Sequence, residues 1–177
     1  MSWVDRLAEA VGGRPLDSAP GEWAAIESRI GIALPADYKE FCEVFGPGEF
    51  CDYLTVHASA GGADSELADS QEANLRMAEQ HPVVLDGYLP YGIHRPGGQG
   101  GGILQWGVSQ QGEMFAWLAD PSAAPETWPV LLHPEAGEWR RHGMSMSELT
   151  YRLLADESFE EFGTAGVIDP PYFTRRS

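Results

Sequence analysis

Residues 30–50, IGIALPADYKEFCEVFGPGEF, constrain the fold more than any other stretch of the chain. Pro35 suits a first helical turn, where its missing N–H would be unpaired anyway. Asp37 in that turn complements the helix dipole. Tyr38, Phe41, Cys42 and Phe45 follow at i, i+3, i+4 and i+7, which is one apolar helical stripe. Gly46-Pro47-Gly48 stops the helix. EFCDYLTVHA, 49–58, then reads as a strand, rich in aromatic and β-branched residues. A one-faced helix that runs straight into a strand has to lay its stripe on a sheet.

The rest of the chain fits that requirement. Residues 3–11 place Val4, Leu7, Ala8 and Val11 on one helical face before Gly12-Gly13. A turn-rich loop, 14–23, leads to a second helix over 21–30, with Gly31 at the left-handed C-cap position. A helical segment at 65–80 has only Leu67, Leu75 and Ala78 as its apolar face, which suggests a surface excursion capped by Asp64. YLPYGIHR (88–95) reads as a short strand, and 96–102 as a loop of turn formers. The runs at 103–109 and 113–119 flank Gln110-Gln111-Gly112 and predict a β-hairpin. Residues 127–133 and 138–143 read as two more strands, with Pro129 forcing an edge position or an irregular start on the first. Ser145 and Glu148 form a capping-box pattern opening a helix over 146–156. Helices, then antiparallel strands, then a helix make a single α+β domain, one sheet face covered by helices. We divide it into an N-terminal helix and loop (1–19), a main domain (20–156) and a tail (157–177), either docked as an extended strap or mobile.

Charge narrows the function. The 177 residues hold 11 Lys and Arg against 27 Asp and Glu, a net charge of −16. The acids are distributed along the whole chain, so no acidic tail explains the imbalance. Such a surface disfavours nucleic acid and anionic lipid and speeds encounter with basic partners. Neither a signal-peptide pattern nor a long apolar span is present, and two cysteines make no disulfide framework, so a soluble cytoplasmic protein is expected. Cys42, on the apolar stripe, is expected as a buried free thiol.

The sequence offers no catalytic motif. The five histidines lack metal-pair spacing and there is no Cys-x-x-Cys, so no metal or cofactor is expected. Gly-x-Ser-x-Gly is absent, and Ser109 reads as a turn residue. The glycines of 96–102 lack the Gly-Lys-Ser/Thr ending of a phosphate loop. Trp106, Trp117, Trp128 and Trp139 put one large aromatic on each successive strand; core packing explains them, and an aromatic ligand platform is the alternative.

Trp23, Gly31, Leu34, Pro35, Asp37, Tyr38, Phe41 and the GPGEF run from Gly46 resemble the signature of the SUKH superfamily, the Smi/Knr-like proteins. ILQWG, with Trp106 and Gly107, GEMFAW with Trp117, and Trp128-Pro129-Val130 look like that family's successive strands. The likeness covers about 20–156. It implies a twisted, mostly antiparallel sheet with helices packed on it, and no enzymatic activity. It also implies an immunity role, in which an intracellular bacterial protein blocks a polymorphic toxin, often a nuclease. A housekeeping scaffold of the same fold and a small-molecule binder with a Trp-lined pocket are the alternatives. Candidate partner-binding residues are the acids Asp64, Glu66, Asp69 and Glu72 of the excursion and Asp156, Glu157, Glu160 and Glu161 of the C-terminal cluster. For each, plain solvation of a charge run is the competing reading.

Overall fold

The computed structural model describes residues 1–13 and 19–176; the part of the expected loop at 14–18 lies outside the described residues. In chain order the helices and strands begin with α1 (Trp3–Ala10), α2 (Trp23–Ile30), α3 (Ala36–Val44), β1 (Gly48–Phe50) and β2 (Leu54–Val56). They continue through α4 (Glu66–Gln80), β3 (Gly102–Ser109), β4 (Met114–Ala119), β5 (Val130–His133), β6 (Arg140–His142), α5 (Met146–Ala155) and β7 (Phe173–Arg175). Single 3₁₀ stretches lie at Pro82–Tyr88 and Pro125–Thr127. The strands form one antiparallel sheet in the order β6-β5-β4-β3-β2-β1-β7, so the chain is a single-domain α+β fold.

Period-2 alternation sorts the sheet residues to two faces. Leu104, Phe115, Trp117, Val130 and Leu132 face the main core, to which all five α-helices contribute. Ile103, Ala116, Leu131 and Trp139 face the other way, under Tyr88, Tyr91, Met114 and Leu118. The helix stripe read from sequence is fully used: Tyr38, Phe41 and Phe45 have no exposed surface and Cys42 almost none. Each buried aromatic of that kind contributes roughly 1.5–3 kcal/mol. Its rings join two chains. One runs from Trp23 through Tyr38 to Trp117 at centroid distances of 5.9 and 5.3 Å, and on to Trp128 at 6.4 Å and Trp106 at 6.1 Å. The other links Phe41, Phe45, Phe50 and Phe173. Trp106 is the extra residue of a β-bulge between Gln105 and Gly107, and its ring lies in the main core with Leu104.

Several expectations are corrected. The single strand at 49–58 is a tight hairpin of β1 and β2. Cys51 and Asp52 both take positive φ (54° and 48°), and Tyr53 N–H donates to the Phe50 carbonyl at 2.8 Å, as in a type I′ turn. No glycine marks it, so the turn leaves no local signal. Residues 88–95 are not a strand; only Ile93 bridges to Ile103. The strand expected from 127 starts at Val130, because Pro129 has no N–H to give the ladder and contributes only its carbonyl, to Leu118 N–H at 3.1 Å. The N-cap of α4 is Ser65, not Asp64; its hydroxyl accepts from Ala68 N–H at 3.1 Å. Nor is α4 a surface excursion, since it buries Leu67, Ala68, Gln71 and Ala78. Half of the capping box at α5 forms: Ser145 Oγ accepts from Glu148 N–H at 3.2 Å, while the Glu148 carboxylate turns to Arg152. The tail is docked, and its residues 173–175 supply the seventh strand.

Candidate functional site

The N-terminus of α4 faces the sheet edge made by β1 and β7 across an open groove of about 440 Å³. The groove exists because Ser65 turns the chain into the helix beside β2, while β7 lies along β1 with Arg175 and Arg176 at its end. Three of the candidate acids, Asp64, Glu66 and Asp69, line it. Glu66 is clamped: Arg176 Nη2 donates to both carboxylate oxygens at 2.8 Å, and Ala58 N–H donates to Oε2 at 3.3 Å. Asp69 and the fourth acid of the set, Glu72, both take Arg29 of α2, at 2.6 and 2.9 Å.

Of the second set, Asp156, Glu157 and Glu161 line a different, much smaller cavity beyond α5. Asp156 accepts from Ser158, whose hydroxyl holds its carboxyl below the usual range, and from Arg152 Nη1 at 2.9 Å. Glu161 is bonded by Arg140 and by His142 at 3.1 Å. Asp64, Glu157 and Glu160 are exposed, and among the described residues none of the three side chains has an ion-pair or hydrogen-bond partner. Five of the eight candidate acids are thus matched by the chain's own cations. The matching arginines, Arg29, Arg140, Arg152 and Arg176, were not singled out from sequence as partners of these acids. Only the Glu148–Arg152–Asp156 ladder, at i, i+4 spacing, leaves a readable signal.

Several other polar groups have structural roles. Tyr38 Oη donates to the His57 carbonyl at 2.8 Å. Ser59 N–H points at Cys42 Sγ at 3.4 Å, and burial pushes that thiol up to about 12, which makes it inert as a nucleophile. Cys42 and Cys51 are both buried, and neither is in a disulfide. Ser65 Oγ is spent on its cap. Ser109 Oγ bonds Glu113 and accepts the Gln111 and Glu113 N–H groups at 3.2 and 3.1 Å, the turn role read from sequence. No cluster of three or more His, Cys, Asp or Glu suited to a metal ion occurs among the described residues, and none of their helices is long and apolar enough to cross a membrane.

Of the four later tryptophans, Trp106, Trp117 and Trp128 are packed in the main core. Trp139 lies on the other face, donating Nε1–H to the Gly87 carbonyl at 2.9 Å. Trp128 lines an open cavity of about 460 Å³, with Tyr91 and Arg141. Comparison of the chain with protein-family models, with curated proteins and with solved structures finds no match in any of the three.

What the groove can do chemically is hold a cation. Its carboxylates offer charge-assisted hydrogen bonds of the guanidinium–carboxylate type, and its apolar floor of Pro47 and Ala58 can take an alkyl stem.

Proposed function

We propose that this chain is a non-enzymatic binding protein of the immunity type, acting in the bacterial cytoplasm to neutralise a basic toxin domain by covering its functional surface. The SUKH-like signature motivates the class. The observation that carries the reading is the seating of Arg176 on Glu66, in a groove of a chain with net charge −16. Glu66 is able to hold a guanidinium on both oxygens, and Asp64 lies unmatched in the same groove, which supports recognition of a basic partner. Charge complementarity of this kind raises the association rate and selects partners by sign.

The test is co-expression with the toxin domain encoded by a neighbouring gene. The reading expects growth rescue, a stable complex, and binding that weakens as salt rises. Reversing Asp64, Glu66, Glu157 and Glu160 to Lys should lower the association rate about tenfold or more at low salt. Absence of rescue and of complex formation would favour a scaffold of the same fold. Rescue that ignores both salt and charge reversal would overturn the electrostatic account.

A further inference from the structure

We propose that the β1 edge is a strand-binding site that the chain's own residues 172–176 occupy intramolecularly. Its exchange ligand is an extended basic segment of a partner protein, with an aromatic residue three positions before an arginine. This deepens the preceding reading and rests on it for the partner's charge alone.

Three features make the site. The first is backbone. Cys51 N–H donates to the Tyr172 carbonyl and Arg176 N–H to the Pro47 carbonyl, both at 3.0 Å, around a register that pairs Glu49 with Thr174. Any extended segment can make those bonds. The second is an aromatic slot. The Phe173 ring sits 4.7 Å from Phe50 and 5.2 Å from Phe45 by centroids. Gly48 leaves the opening: a Cβ there would lie 2.1 Å from the Phe173 ring. Phe45 and Phe50 also pack on Phe41, which gives the floor of the slot a support besides the tail. The third is the Glu66 carboxylate, placed to receive an arginine on both oxygens. Strand edge, slot and carboxylate together read one pattern, aromatic-x-x-Arg.

The present occupant is held lightly. It makes three residue pairs at a sheet edge, and Tyr172, Thr174, Arg175 and Arg176 are exposed. The ion pair leaves the Arg176 and Glu66 side chains 47% and 35% exposed, a setting in which solvent screening leaves such pairs little net strength. Short, exposed edge strands of this kind open well below the global unfolding free energy. The tail does have the advantage of being tethered. An incoming segment offsets that with a further cation for Asp64, which the tail leaves without one.

The test uses a fluorescein-labelled peptide, Tyr-Phe-Thr-Arg-Arg, titrated into the full chain and into a full-length Phe173→Ser, Arg176→Ser variant. The variant should bind the peptide at least about tenfold more tightly than the native chain. Glu66→Gln or a Phe-to-Ser peptide should remove that gain. Equal affinity for both proteins, or no binding by a variant with native helical circular dichroism, overturns the site. If the double variant does not fold, Arg176→Glu keeps Phe173 in its slot and repels only the last contact; unchanged peptide affinity there is equally fatal. A dimer formed by tail exchange, seen by light scattering, would name a second copy as occupant and overturn the assignment to a partner protein. No toxin enters this assay. Peptide binding without growth rescue therefore sinks the immunity reading alone, and rescue without peptide binding sinks the strand site alone.

Discussion

Gly31 ends α2 with φ +78°, and a Cβ at that position would stand 2.6 Å from the Pro96 backbone. Left-handed strain and overpacking act together, so Gly31→Ala is expected to cost about 2–4 kcal/mol, read as a lowered midpoint in denaturant. The conformation was legible in the sequence; the contact with Pro96, far along the chain, was not. Asp37 teaches the same lesson. Its place in the first turn of α3 was read correctly, but its carboxylate also accepts from Ser147 N–H and Oγ–H, at 3.2 and 2.9 Å, at the start of α5. Asp37→Ala should therefore cost about 1–3 kcal/mol, more than loss of a surface charge, and Asp37→Asn less. His94 is buried between Ile30 and Gln71, bonding the Ile30 carbonyl through Nε2 at 2.9 Å. Burial holds its pKa below the ordinary 6.5, and that of His57 likewise. The unfolded chain then takes up these protons first. Stability from this source is complete above about pH 6.5 and is lost as pH falls through the folded-state values. His94→Gln is expected to flatten that acid limb in a series of thermal melts between about pH 7 and 5.

At the scale of elements, helices were easier to read than strands. The first three helices announced themselves by periodicity and a stop signal, and α5 by its cap, because these signals are local. The β1–β2 turn was missed because Cys51 and Asp52 adopt positive φ without a glycine, a conformation imposed by the pairing on either side. α4 looked too polar to pack; its burial relies on small and polar residues, Ala68, Gln71 and Ala78, which carry little hydrophobic signal. The cap of α5 was legible, and Ser145→Ala should cost about 1 kcal/mol in a denaturant titration. β7 was hidden by its shortness. Gly48→Ala, by closing the slot under Phe173, is expected to free that strand and expose the Cys51 and Arg176 amides to hydrogen exchange, while β3 and β4 remain protected.

For the whole molecule, fold class followed from the order of patterns, but the candidate site followed only in part. Acids can be found in any sequence; which of them keep a free charge depends on where a few arginines land. Here Arg29, Arg140, Arg152 and Arg176 take most of the nominated carboxylates, leaving Asp64, Glu157 and Glu160 bare. The residual net charge of −16 still opposes compaction. Moderate salt, which shortens screening to about 8 Å near 0.15 M, should raise the melting temperature of the free chain while weakening its complex with a basic partner. Opposite responses to one variable separate self-repulsion from recognition.

The strand order has a kinetic corollary. β1 to β6 lie side by side in the order they occur along the chain, whereas β7 must return across the whole sheet to reach β1. Closing so long a loop is slow relative to forming neighbouring hairpins. During refolding there is thus an interval in which the sheet is otherwise built but one border lies bare, with its aromatic slot empty. Self-association should peak in that interval, rise with protein concentration, and subside once the last strand arrives.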